Sequence, residues 1–172
     1  MKAITLTPTS YVVLGLVSLA GEATPYDLKQ MVGRSVGHFW SIPHSQLYAE
    51  PARLAQAGYL DERRESGGRR RKHYSVTKIG RLALEQWTAS GTEEGWELRD
   101  PGLLKLFFGA DPDTLAAEQL ETHRRRLANY EAMMDGAGSA PPGPRLALEA
   151  GIGHEREYVR FWSHVTRRSN ND

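Results

Sequence analysis

The chain has 172 residues, 40% hydrophobic and 25% charged, with no cysteine and a formal net charge of +1. That length holds one domain or two small ones, and the composition is that of an ordinary globular protein. The lack of cysteine excludes disulfides, thiol nucleophiles and cysteine-ligated zinc, and a near-neutral charge by itself names no partner.

No run of eighteen apolar residues is present, so no spanning helix is expected. The start, MKAITLTPTS, lacks the flanks of a signal peptide, which predicts a cytoplasmic protein. Ser10–Leu19 is apolar almost all round and reads as a buried first helix. Thr24-Pro25-x-Asp27 starts a second helix reaching about Val32: Thr24 caps, Pro25 suits the first helical position and Asp27 favours the helix dipole. A third helix covers Pro43–Ala57, with Gly58 as its stop. Strands follow near Tyr59–Glu65 and His73–Thr77, joined by a turn containing Gly67-Gly68, and a fourth helix, Lys78–Ser90, leads away. Two helices joined by a turn, followed by a hairpin, form a winged helix-turn-helix.

The second half reads as helical. Asp100-Pro101 and Asp111-Pro112 each pair an N-cap with a first-turn proline. In the helix after Asp111, Ala116, Leu120, His123, Leu127, Tyr130 and Met134 form a heptad seam. Asp135–Pro144 (DGAGSAPPGP) is expected to be a loop. A last helix, about Arg145–Arg167, carries a stripe of Leu148, Ile152, Val159 and Trp162 that Glu155 interrupts. Two amphipathic helices need a surface to cover. A second copy of the same pair is the simplest candidate, with Leu120, Leu127, Tyr130, Met134, Leu148, Ile152, Val159 and Trp162 at the interface. His123 is then a satisfied polar residue of that interface.

Charge is divided along the chain. Residues 1–90 hold 12 Lys and Arg against 7 Asp and Glu, a net of +5; residues 91–172 hold 10 against 14, a net of −4. The first half is drawn to a polyanion. Arg63, Arg64, Arg69, Arg70, Arg71 and Lys72 crowd one hairpin, relieved only by Glu65. A charge run is most often a solvated turn. Placed after a recognition-like helix, this one is expected to meet phosphates, with Arg69, Arg70, Arg71 and Lys72 as the contacts. On the third helix, His44, Ser45, Gln46 and Tyr48 can hydrogen-bond bases or phosphates, and Arg53 can reach a phosphate or a guanine. Plain surface is the rival reading for each, and for Tyr48 a core position. Pro51 inside that helix removes a hydrogen bond, so the helix is expected to kink there or to start later.

Trp87, Trp96, Phe107, Phe108 and Trp162 fall at or beyond the junction of the halves and offer a flat pocket for a small aromatic ligand, with ordinary packing as the alternative. No P-loop, GxGxxG, HExxH or GxSxG motif occurs, and the six histidines lack ligand spacing, so no metal, cofactor or catalytic residue is implied.

The run from Tyr11-x-x-Leu14-Gly15-Leu16 through Pro25-Tyr26-Asp27-Leu28, Leu47-Tyr48, Leu54, Gly58-Tyr59-Leu60 and Tyr74-Ser75-Val76-Thr77-x-x-Gly80 resembles the PadR family of bacterial transcriptional regulators. Leu103–Phe108 and the Trp162 helix are similar to its longer, helical-tailed branch. The resemblance implies a homodimeric, ligand-responsive regulator, usually a repressor of detoxification, efflux or metabolic genes. It implies a two-fold operator, with the third helix in the major groove and the wing on the backbone or minor groove. The family's usual Ile/Leu-Tyr-Pro stands here as Leu47-Tyr48-Ala49, with a proline at Pro51 instead.

The expected fold is mostly α with a small β-hairpin: a winged helix-turn-helix DNA-binding domain over 1–90, and a C-terminal α-helical dimerisation and effector domain over 91–172 with a flexible loop at 135–144. The expected partners are double-stranded operator DNA, a second copy and a small aromatic effector, with no membrane. A winged-helix module that docks protein or RNA, and a small enzyme using the aromatic pocket, are the rival functions.

Overall fold

The computed structural model describes residues 4–67, 70–92, 99–138 and 140–169. The chain forms two compact units, Met1–Glu94 and Gly95–Asp172.

In the first unit α1 spans Pro8–Ala20. It begins earlier than its apolar run because Thr7 and Ser10 form a capping box, with the Ser10 hydroxyl accepting from the Thr7 amide at 2.8 Å. Its Val13, Leu14, Leu16 and Val17 are buried. α2, Pro25–Gly33, starts in the same way, with the Thr24 amide donating to Asp27 at 2.9 Å. A 3-10 turn, Val36–His38, leads to α3, His44–Gln56, which continues through Pro51. Pro51 removes the amide that would reach the Leu47 carbonyl. Its ring is buried with Leu47 and Leu54 on the inward face of the helix, an apolar gain that offsets the lost bond. The helix therefore starts where the sequence places it. Gly58, at φ +84°, ends it in the left-handed conformation.

β2 (Leu60–Arg64) and β3 (Lys72–Val76) pair antiparallel, with Leu60 opposite Val76 and Glu62 opposite Tyr74. A third strand, β1 (Glu22–Ala23), adds to the free side of β3 and sets Ala23 opposite Tyr74. The expected hairpin is thus a three-stranded sheet in the order β1-β3-β2; two residues are too few to show the alternation that reveals a strand. α4 (Lys78–Ala89) follows. The Thr77 hydroxyl shares its hydrogen between the carbonyls of Gly58 (2.8 Å) and Tyr59 (3.1 Å), and accepts from the Gly80 amide at 3.1 Å.

In the second unit α5 (Pro101–Phe107) is capped by Asp100 and α6 (Pro112–Asp135) by Asp111, each followed by a first-turn proline. α7 spans Pro142–Ser169. It starts inside the stretch expected to be loop, because prolines in a first turn forgo only amides that have no helical acceptor. α6 and α7 run antiparallel. Ala116 clusters with Trp162, His123 bonds Glu155, and Tyr130 lies against Gly151. The heptad seam of α6 is therefore covered by α7 of the same chain.

The first turn of α4 lies close against the connection from α3 to β2. A Cβ on Gly80 would lie 2.1 Å from the Tyr59 carbonyl oxygen and 2.9 Å from a Val76 methyl. Gly80→Ala is expected to cost about 2 kcal/mol or more through backbone displacement, lowering the melting temperature of this unit by on the order of 10 °C. Thermal unfolding followed by circular dichroism checks it.

Candidate nucleic-acid interface

α3 has three distinct faces. Leu47, Pro51 and Leu54 point inward. His44, Ser45 and Tyr48 are exposed, and Pro43 supplies no side-chain cap to the amides of the first turn. The third face is polar and tied to α1. The Thr9 hydroxyl donates to Gln46 Oε1 at 3.1 Å, and the Arg53 guanidinium donates to Glu50 (2.6 and 2.8 Å), to Ser10 Oγ (3.0 Å) and to the Thr5 carbonyl (3.3 Å). Of the five residues read as DNA contacts on this helix, His44, Ser45 and Tyr48 are thus presented to solvent. Gln46 is exposed with its carbonyl oxygen engaged, and Arg53 is turned onto its own protein.

The wing is less uniformly cationic than its sequence. Arg63 forks onto Glu22 of β1, with Nη2 at 2.7 Å. Glu62 accepts from Arg64 (2.9 Å), Lys72 (3.0 Å) and the Tyr74 hydroxyl (3.0 Å). His73 sits between Glu22 and Glu65, each at 3.1 Å. Three carboxylates, not Glu65 alone, therefore neutralise the base of the hairpin. Lys72, read as a phosphate contact, is committed to Glu62. Arg70 and Arg71 remain exposed beyond this ladder, and Arg70 takes a positive φ of 49° in the turn. Arg69 lies outside the described residues. The Arg63 hydrogen bond holds the Glu22 carboxyl below the usual glutamate range, the Arg64 and Lys72 bonds do so for Glu62, and the His73 bond for Glu65. Burial, with Glu62 beside it, pushes the Tyr74 hydroxyl up to about 12.

Between the wing, the start of α2 and α3 lies an open cleft of about 610 Å³, lined by Thr24, Pro25, Tyr26, Asp27, Tyr48, Arg71 and Lys72. Tyr26 is 60% exposed and Tyr48 49%, so two phenol edges and the Arg71 guanidinium converge on one groove. The Asp27 carboxylate is occupied by the Thr24 amide and hydroxyl at 2.9 and 2.7 Å. Sequence reasoning missed Tyr26. The signal was available, since the residue after a first-turn proline lies at the open end of the helix.

The aromatic residues do not assemble as the sequence suggested. Trp87 stacks on Tyr11 within the first unit, with centroids 4.6 Å apart and planes 7° apart. Phe107 and Phe108 meet edge to face at 5.2 Å and are 82% and 78% exposed. Trp162 is fully buried with Leu115 and Ala116, and its indole Nε1 has no hydrogen-bond partner among the described residues. Trp96 lies outside the described residues. Phe107 and Phe108 on the surface and Trp162 in the α6–α7 core do not line one pocket. The residues expected at a dimer interface divide likewise. Ile152 and Trp162 are buried in their own chain, Leu120 packs on the Leu115–Trp162 cluster, and Tyr130 lies against Gly151. Leu127, Met134, Leu148 and Val159 are half-buried. His123, expected to be satisfied across an interface, is satisfied within the chain by Glu155 at 2.5 Å, which explains the acid interrupting the α7 stripe.

An uncovered second helix beside a cation-tipped antiparallel wing defines a winged helix-turn-helix of the nucleic-acid-binding class, here joined to a helical C-terminal unit. Residues 13–86 match the model of the Transcriptional regulator PadR-like family, and residues 98–168 that of the Virulence activator alpha C-term family. The winged unit thus matches the PadR-like family, a family of transcriptional regulators and not of enzymes. The chain is similar to the negative transcriptional regulator PadR of Bacillus subtilis (strain 168), 28% identical over 171 residues that cover 90% of this chain and 93% of the relative. Its fold matches the crystal structure of Bacillus subtilis PadR in complex with operator DNA, with a TM-score of 0.84 at 24% identity over 96% of this chain and 99% of that one. The same protein in complex with p-coumaric acid matches with a TM-score of 0.76 at 23% identity, over 98% and 100% of the two chains. Among the described residues no helix is long and apolar enough to cross a membrane.

Depressed carboxyls stabilise the wing above the ordinary glutamate range, and that contribution is lost as pH falls through their folded values. Amide protection in β2 and β3, measured by hydrogen exchange and corrected for intrinsic rates, is expected to fall on acidification. Glu62→Gln is expected to flatten the dependence. Protection that does not change with pH would contradict the carboxylate ladder.

Proposed function

We propose that this protein is a sequence-specific DNA-binding repressor that acts as a homodimer on a two-fold operator and releases or adjusts its hold when a small aromatic effector binds. The observation that carries the reading is the arrangement of charge on the winged unit. The base of the hairpin is cancelled by Glu22, Glu62 and Glu65, whereas Arg70 and Arg71 at its tip, and the exposed face of α3, are left for a polyanion. His44, Ser45, Gln46 and Tyr48 read base edges or fix phosphates. Tyr26, Arg70 and Arg71 hold the backbone beside them, with Arg69 next to them in sequence. The PadR-like match over residues 13–86 and the similarity to a negative regulator that has been crystallised with operator DNA and with p-coumaric acid support the same conclusion. The winged domain (1–90) binds DNA, and the helical domain (91–172) pairs two copies and receives the effector. The protein works in the cytoplasm and performs no chemistry on its ligand.

Pairing two copies sets the recognition helices about 34 Å apart, one turn of DNA. Because the α6 seam is filled by α7, the second copy docks on apolar side chains still uncovered; among the described residues of this unit Leu104 and Phe107 on α5, Phe108 just after it, and Leu146 are the most exposed. The double substitution Phe107→Ser and Phe108→Ser is expected to give folded monomers in sedimentation. Dimers of unchanged stability would place the interface elsewhere.

The DNA reading is tested by titrating a duplex selected by the purified protein from a random pool. Arg70→Ala with Arg71→Ala, which removes two cations from each of the two copies, is expected to make the plot of log K against log salt shallower by about four. Arg64→Ala, which removes a cation already paired to Glu62 in each copy, changes the slope by less than one for the whole dimer. Equal binding to selected and random duplexes by the wild type would overturn the reading in favour of a module without operator specificity.

A further inference from the structure

We infer that the Ser10–Glu50–Arg53 cluster is a positioning lock that sets the rotation of the recognition helix about its own axis, and that Arg53 acts through this lock and not on DNA. The inference rests on the DNA-binding reading and deepens it.

The stripe Leu47, Pro51, Leu54 buries α3 against the core, but apolar burial is non-directional and tolerates a roll of the helix. Hydrogen bonds supply direction. Gln46, Glu50 and Arg53 recur at the same helical spacing one residue earlier, so they form a flank beside the apolar stripe that faces the first turns of α1. Glu50 Oε1 accepts from the Ser10 hydroxyl and from Arg53 Nη2, both at 2.6 Å, and Oε2 accepts from Arg53 Nε at 2.8 Å. Ser10 is fully buried, and its oxygen also receives the Thr7 amide that caps α1. One oxygen atom thus ends one helix and anchors another.

The guanidinium of Arg53 makes four hydrogen bonds within its own protein, leaving one of its five N–H donors. Its charge is cancelled by a carboxylate whose own side chain is only 12% exposed. Burial pushes the Glu50 carboxyl up, yet the Arg53 and Ser10 bonds outweigh it and leave it below the usual range. Such a pair offers little to a phosphate. Its value lies in geometry. Side-chain tips stand roughly 6 Å from the helix axis, so a roll of about 20° moves a base-reading tip by about 2 Å, beyond the tolerance of a hydrogen bond. His44, Ser45 and Tyr48 lie outside the locked flank and move with it.

The test uses the full chain, a duplex selected by the wild type from a random pool, and a random duplex of equal length, titrated across salt. Glu50→Gln and Arg53→Lys are each expected to lower the ratio of selected to random affinity about tenfold with an unchanged salt slope. The double variant is expected to be no worse than either single one. Ser10→Ala, the mildest change, carries the same expectation if melting shows that either of the others fails to fold. The inference is overturned if Glu50→Gln keeps or raises the ratio while Arg53→Gln, which removes the charge, weakens both duplexes with a reduced slope, because Arg53 then touches phosphate. A wild type that selects no duplex sinks the DNA reading and this inference together. A wild type that selects, with variants that retain its discrimination, sinks this inference alone.

Discussion

Helix α3 buries one side and leaves the adjacent side bare, and the rest of the winged unit is arranged around that constraint. Three side chains of α3, Leu47, Pro51 and Leu54, enter the core formed by α1, α2 and the sheet. A helix held by a single apolar stripe is free to rock, since burial rewards area and not angle. The polar flank of α3 removes that freedom by bonding to the capped start of α1. Thr7 and Ser10 look like an ordinary capping box, yet they also connect the first helix to the third.

The wing solves a second problem, that of keeping cations together without a bound anion. Like charges a few ångströms apart repel, and the hairpin carries six in ten residues. The sheet interleaves acids with them: Glu22 arrives from β1, Glu62 stands opposite Tyr74 on β2, and Glu65 closes the turn by bonding the Arg71 backbone. Positive potential is thereby moved outward from the strands to the tip, where a duplex can neutralise it. Net charge summed along the sequence cannot express this, because what matters is which cations lack a partner.

Much of the architecture is legible because its signals are local. Thr24-Pro25-x-Asp27, Asp100-Pro101 and Asp111-Pro112 each start a helix where the capping chemistry says they should. Gly58 stops α3 because only a positive φ turns the chain there. The misses are of another kind. A heptad seam tells that Ala116, His123 and Tyr130 face something apolar; it does not tell that the partner is α7 of the same chain. Glu155, a flaw in the stripe when α7 is considered alone, is the complement of His123 once the two helices are paired. The two-residue β1 carries no periodicity, although it brings Glu22 to Arg63. For the candidate site, residue type and exposure were readable at His44, Ser45 and Tyr48. The engagement of Arg53 and Lys72 was not, because their acidic partners are defined only by the fold.

One threonine bears on how the winged unit would respond to force. The Thr77 hydroxyl holds the carbonyls of Gly58 and Tyr59, in the connection from α3 to β2, and, through the Gly80 amide, the first turn of α4. Because one hydroxyl joins the two, a displacement of the first turn of α4 is felt at once in the turn that leads from α3 into β2 and is not dissipated in a slack joint.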